Sequence, residues 1–241
     1  MKAGYVSNEL FHFVGRKQPT DDQTNYKILR EILRKQCVSH YPHKNGWGSI
    51  SYTVDLEKSL LSEELIVPTV TCYADIPEKS LDTHIKKYGK FGLSFSKELL
   101  INYGARPVMY IPTRGDDWRL NHGMTLLKDI EATYKSFNKH FDSRLDESPS
   151  RPLGVEPTNE LELIHAIDSI FAKDFLSFIK PFNSELEQEH PDNFYMEREW
   201  RKHGNLKFEP NQVCRIYVAN EQYVSAIKDE FPHFAHLVEK L

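Results

Sequence analysis

The residues able to do chemistry in this chain sit toward its two ends. His12 stands in Leu10-Phe11-His12-Phe13, an apolar run with the composition of a strand. Side chains alternate along a strand, so His12 is expected on the face opposite Phe11 and Phe13. An imidazole there can donate a hydrogen bond to a ligand hydroxyl or carbonyl. The plain alternative is a histidine satisfied inside the fold. Toward the other end lies Tyr195-Met196-Glu197-Arg198-Glu199-Trp200-Arg201. Read as a strand, it puts Glu197, Glu199 and Arg201 on one face. Two carboxylates beside a guanidinium suit the stabilisation of a cation, with the arginine positioning the acid. The alternative is a solvated strand face whose ion pairs carry little energy.

A third candidate is Lys87-Tyr88-Gly89-Lys90-Phe91-Gly92. Its glycines permit positive φ or close approach of a ligand to the backbone, and Tyr88 is available to stack on a flat ring. A simple helix-to-strand turn explains the same glycines. Metal chemistry has little footing. His40 and His43, and likewise His233 and His236, lack a convincing third ligand. No phosphate-binding loop and no Gly-x-Ser-x-Gly elbow occurs. Asp75, Lys97 and Glu98 make a nuclease-like set, but such sets arise in most acidic sequences. Lys86, Lys87, Lys90 and Lys97, interleaved with Tyr88 and Phe91, suit a polyanion or a solvated face.

These side chains need elements to hold them. Residues 9–14 read as a strand, and Asp21-Asp22 opens a helix in which Ile28, Leu29, Ile32 and Leu33 recur at helical spacing up to Lys35. Residues 39–51 read as loop. Residues 65–73 are a buried strand with a kink or edge at Pro68. A helix follows over 81–88, a strand over 91–96, a short helix from Lys97 to Tyr103 and a strand over 107–112. Helical patterns cover about 120–141 and 160–178, separated by the linker Ser148-Pro149-Ser150-Arg151-Pro152. Strand signals return at Asn193 to Trp200 and Val213 to Val218. A helix near Gln222 to Glu230, a break at Pro232 and a last amphipathic helix follow. The expected architecture is a single α+β domain over residues 1–241. Its mixed or antiparallel sheet is built from both ends of the chain, with an inserted helical hairpin at about 113–185.

The chain has 241 residues, with 31 Lys and Arg against 35 Asp and Glu, a formal charge of −4. That length is enough for a sizeable core, and the charge balance excludes nucleic-acid binding by bulk field alone. No stretch approaches the roughly 20 apolar residues that span a bilayer. The first residues lack the apolar core of a signal peptide. Cys37, Cys72 and Cys214 are far apart and odd in number, which fits a reducing compartment. A cytoplasmic location is expected.

Several of these pieces together resemble the AbiGi family of bacterial abortive-infection (phage-resistance) proteins. Leu10-Phe11-His12-Phe13-Val14-Gly15-Arg16 is similar to the family's opening, and Cys72-Tyr73-Ala74-Asp75-Ile76-Pro77 to its central motif. His84, Tyr88-Gly89, Phe91-Gly92-Leu93-Ser94-Phe95, Gly104, Pro107-Val108-Met109-Tyr110 and Glu197-Arg198-Glu199-Trp200-Arg201 follow in order. The resemblance implies a role in phage defence, with the label of an antitoxin. More distantly, a histidine on an early strand, a middle aromatic and a late glutamate are similar to the ADP-ribosyltransferase arrangement. That resemblance implies NAD as cofactor and a protein or nucleic-acid acceptor. It makes His12 the ribose holder, Tyr88 or Tyr73 the stacking ring, and Glu199 the acid with Glu197 as alternative. Arg16 or Arg201 would hold the pyrophosphate. The rival expectation is a non-enzymatic antitoxin or sensor module that binds a partner, such as a cognate toxin or antitoxin. In that case Glu197, Glu199 and Arg201 form an ion-pair network.

Overall fold

The computed structural model describes residues 7–40, 52–114, 121–145, 154–187, 190 and 192–241. Most of the loop expected over 39–51, and the linker Ser148 to Pro152, lie outside them. The strands are β1 (Glu9–Phe13), β2 (Cys37–Val38), β3 (Tyr52–Val54), β4 (Ile66–Pro68), β5 (Val70–Ala74), β6 (Gly92–Ser96), β7 (Arg106–Pro107), β8 (Met109–Thr113), β9 (Ile179–Asn183), β10 (Glu199–His203), β11 (Leu206–Lys207), β12 (Val213–Val218) and β13 (Val238–Lys240). The α-helices are α1 (Asp22–Lys35), α2 (Leu81–Tyr88), α3 (Lys97–Asn102), α4 (His122–Leu145), α5 (Glu160–Asp168) and α6 (Glu221–Glu230). They form two compact units, one from residues 1–50, 69–108 and 188–241, the other from 51–68 and 109–187.

The first unit is built on a seven-stranded mixed sheet in the order β13-β12-β6-β1-β5-β10-β7. Its pairings are antiparallel except β12 with β13, which is parallel. The sheet thus draws on both ends of the chain. Directly opposed residues share a face. Phe11 lies opposite Ser94 and Ala74, and Ala74 opposite Glu199. Phe11, Phe13, Ala74 and Tyr217 therefore form one apolar face, covered by Leu81 and partly buried Ile85 and Tyr88 of α2. The other face carries Leu10, Tyr73, Leu93, Phe95 and Ile216. It packs on Leu29, Ile32 and Leu33 of α1 and on Val224 and Ile227 of α6. Burying each such Leu, Ile or Phe contributes about 1.5–3 kcal/mol. The helices arise where the pattern calls for them. Asp21 caps α1 by accepting from Thr24 N–H at 3.0 Å, and Gln36 ends it in the left-handed conformation.

The second unit pairs β3 with β4 antiparallel and β8 with β9 parallel. It buries Leu65, Ile111, Leu127, Tyr134, Leu176 and Ile179 together. Within it, α5 runs into a π-helical stretch, Ser169–Phe175, and then a 3₁₀ turn, Leu176–Phe178. Asp168 accepts from the hydroxyls of Tyr52 at 2.6 Å and Tyr134 at 2.8 Å.

Three expectations are corrected. The strand expected at Asn193 to Trp200 is a 3₁₀ turn over Tyr195–Glu197 followed by β10, because Arg198 takes a left-handed φ of 47° between them. The strand over 65–73 is broken at Thr69 into β4 and β5, which join different sheets. The last helix is a 3₁₀ segment, Pro232–Leu237, followed by β13. Pro232 denies the turn an N–H, and Val238 then pairs with Ile216.

The end of β1 is pinned to the end of α2. Gly15 N–H donates to Tyr88 O at 2.8 Å, and a Cβ on Gly15 would stand 2.4 Å from that oxygen. Gly15→Ala is therefore expected to cost about 1–3 kcal/mol of stability, as overpacking does elsewhere. Urea denaturation checks this; an unchanged midpoint would mean that this contact does not hold the two elements together.

Candidate functional site

The first unit contains a cavity of about 910 Å³. Its position follows from the sheet. β1 shares five register pairs with β6, and β10 shares five with β5, but β1 and β5 share only Phe11 with Ala74. Past that pair the ladder is lost. Residues 11–14 and 70–74 then become walls of the cavity, with α1 contributing Asn25, Ile28 and Ile32. Residues from both faces of the sheet are among its lining. His12, from the α1 side, and Glu197 and Glu199, from the α2 side, all line this one space.

His12 lies opposite Leu93, on the face away from Phe11 and Phe13. A carbonyl can only accept, so its Nδ1–H donates to Cys72 O at 2.9 Å, bridging β1 and β5 where the ladder is missing. Its ring lies 5.8 Å from that of Tyr73. Tyr73 touches the cavity but is 2% exposed, its ring edge-on to Phe95 and its hydroxyl donating to Thr71 Oγ1 at 3.1 Å. Burial pushes its phenol far up.

Tyr88 is the better-placed of the two rings. Its hydroxyl donates to Glu197 Oε1 at 2.7 Å, and burial together with the Glu197 charge pushes its phenol far up. Glu197 leaves the end of its 3₁₀ turn, not a strand face, and Lys87 Nζ approaches it at 3.8 Å. Glu199, the first residue of β10, accepts from Arg201 Nε at 2.7 Å, both groups being buried. The expected sharing of one face thus holds for Glu199 and Arg201 and not for Glu197. Arg201 is not among the lining residues. Arg16 is, with its guanidinium 6.0 Å from the Phe194 ring centroid.

Asp75 secures the acidic loop. Its N–H donates to Glu197 O at 3.2 Å and Arg198 O at 3.3 Å, and its carboxylate accepts from Lys97 at 2.8 Å and Arg198 at 3.3 Å. The suggested nuclease grouping is therefore a structural ion-pair cluster as regards Asp75 and Lys97. Among the described residues, no group of three or more His, Cys, Asp or Glu side chains is arranged to hold a metal ion. No helix among them is long and apolar enough to cross a membrane.

The sequence of a protein family described as abortive phage resistance protein AbiGi, antitoxin, matches residues 46–231. The chain belongs to the AbiGi family. No curated protein and no solved structure matches it. In this AbiGi chain the match takes in Tyr73, Tyr88, Glu197, Glu199 and Arg201, whereas His12, Arg16 and all of α1 precede it.

Sequence reasoning passed over two contributors to the site. One is the basic rim: Lys17, Lys27 and Lys35 join Arg16 around the cavity, set against Glu31, Glu197 and Glu199. The other is His84, one helical turn before Tyr88. The spacing of four on α2 was the available signal. His84 stacks on Tyr88 at 4.4 Å and 22°, and meets Phe13 edge-on at 5.2 Å. Burial, aided by the Lys87 charge, lowers its pKa to about 3.

The depressed value has a defined sign. Between about pH 3 and 6.5 the unfolded chain binds a proton at this position that the folded chain does not. Stability contributed by neutral His84 is complete above pH 6.5, the ordinary value, and falls as the pH drops toward 3. His84→Phe should therefore flatten the decline in unfolding free energy across that window. Parallel denaturation curves for both proteins at every pH would show that His84 does not titrate on unfolding.

Proposed function

We propose that this AbiGi chain acts in phage defence by abortive infection, and that its cavity binds NAD for cleavage or transfer at the nicotinamide ribose. The observation that carries the reading is that His12 and the Glu197–Glu199 pair line one cavity, beside the lost ladder between β1 and β5. The volume suits a nucleotide-sized ligand. The lining also carries charges of both signs, with Lys35 paired to Glu31 at 3.6 Å. Arg16, Lys17, Lys27 and Lys35 suit a pyrophosphate, while the carboxylates suit a ring and ribose carbon that carry positive charge. In this reading His12 holds the ribose, Tyr88 faces the nicotinamide, and Arg16 serves the phosphates. Glu199 is the acid that stabilises the cation at the ribose carbon, held in place by Arg201, with Glu197 as its alternative. The fold would then be of the ADP-ribosyltransferase type.

A second reading draws on the family description, which ends in "antitoxin". Under it the protein binds a cognate toxin without chemistry, and the buried carboxylates are structural.

Incubation with NAD separates the two. The enzyme reading expects free nicotinamide, or an ADP-ribose mass increment on a protein or RNA acceptor, and loss of that product by at least a hundredfold in the Glu197→Ala, Glu199→Ala double variant. NAD at a hundred times its Kd should also raise stability by about 2.7 kcal/mol. No stabilisation at millimolar NAD, together with copurification of a co-expressed neighbouring gene product, would establish the antitoxin reading instead.

A further inference from the structure

The second unit carries apolar surface that its own core does not use. Among the described residues, nine of the thirteen exposed large apolar side chains belong to it, although it holds fewer residues than the first unit. Four of the nine fall on one run of chain, α5 and the π-helical stretch that continues it. Leu163 is 49% exposed, Ile167 37%, Ile170 59% and Phe175 37%. Half-buried Phe171 joins them, its ring 5.9 Å from that of Phe175.

The other side of the same run turns this face outward. Ile164 and Ala172 are buried there, and Asp168 between them accepts from Tyr52 and Tyr134. The π stretch then decides how far the outward stripe runs. Residues 163, 167, 171 and 175 recur every four. An α-helix turns once in 3.6 residues, so such a series would drift by roughly a third of a turn over its length. Bonding from i to i+5 winds more residues into each turn and takes much of that drift out. Phe171 and Phe175 stay in line with Leu163 and Ile167, and all five members of the stripe are apolar.

Monomeric proteins rarely expose contiguous apolar area beyond a few hundred Å². Five large side chains in line make a patch of that order, and a specific interface needs about 1,000 Å² in total. Two copies of the stripe with their polar rims reach that scale. The stripe also complements itself. Its first half is aliphatic, Leu163 and Ile167, and its second half aromatic, Phe171 and Phe175. A two-fold axis sets the halves antiparallel, so that residue 163 meets 175 and residue 167 meets 171. Each ring then packs on a smaller aliphatic side chain, the large-on-small arrangement that interdigitates without voids. A parallel pairing would set ring against ring and leave the aliphatic end thin.

We propose that this stripe is the seam of a homodimer, in which α5 and its π-helical continuation pack antiparallel on the same segment of a second copy. The dimer does not depend on what the cavity of the first unit binds.

Sedimentation velocity on the full chain tests it. With rising concentration the mass should move from that of one chain to twice that value. Ile170→Asp places a carboxylate on the seam, and Leu163→Ser trims its far end. Each should keep the wild-type far-UV spectrum and weaken the dimer at least tenfold, equivalent to about 1.4 kcal/mol. A copy carrying Leu163→Cys, mixed with a copy carrying Phe175→Cys, should join 163 to 175 through a short bifunctional maleimide, read from the mass of the linked peptides. A protein that stays monomeric at every concentration overturns the proposal, as does a dimer that both variants leave intact. Loss of helix in both variants would make these side chains structural and overturn it equally. Links from 163 to 163 would overturn the antiparallel seam. A monomer that holds a co-expressed neighbouring gene product through Ile170 would give the stripe to a different partner.

Discussion

Phe11 against Ala74 is the only register pair between β1 and β5, so the seven-stranded sheet is two smaller sheets joined at one point. One half is β13-β12-β6-β1 and the other β5-β10-β7. Backbone groups that leave a ladder must find other partners. Here the His12 imidazole takes the Cys72 carbonyl, substituting a side chain for the missing strand contact. The opening that results is what brings the two faces of the sheet to a common space. A continuous ladder would have kept His12 and Glu199 on opposite sides of a closed wall.

The carboxylates of Glu197, Glu199 and Asp75 beside that opening are buried, and each is held by an opposite charge or a hydroxyl. Glu199 has Arg201, Glu197 has Tyr88 and Lys87, and Asp75 has Lys97 and Arg198. Buried ion pairs seldom add stability over apolar replacements, yet removing one member commonly costs about 3–5 kcal/mol. Such an arrangement is poor economy for a core and good geometry for a site. The left-handed Arg198 belongs to the same logic. Its carbonyl and side chain are both fixed by Asp75, so the two glutamates emerge from a turn of defined shape.

Much of this was legible in the residues, for reasons of period. Alternation in Phe11-His12-Phe13 gave the direction of His12, and helical spacing gave α1, α2, α4 and the start of α5. The draw on both chain ends for one sheet was legible as well, from strand signals before residue 112 and after 193. What could not be read were features decided by partners distant in sequence. Glu197 looks like a strand residue until Asp75 bends the chain at Arg198. Val238 looks helical until β12 offers it an open edge. The pairs β2 with β11 and β3 with β4 are too short to leave a pattern. Within the site, the glutamates were found from their unusual grouping. His84 stood among the family-like residues and four before Tyr88, but its place in the site also depends on Phe13, far away in sequence.

The interleaved strand order has a bearing on how the chain comes to be folded at all. β5 gains its one full partner only with β10, some 125 residues later, and β6 waits a similar span for β12. Contacts so remote in sequence make for slow acquisition of structure, since loop closure precedes any reward. During synthesis the early strands must emerge from the ribosome with their apolar edges unpaired, a state prone to aggregation. The first unit is thus completed late, and its hollow exists only after Glu197 and Glu199 have arrived with the start of β10.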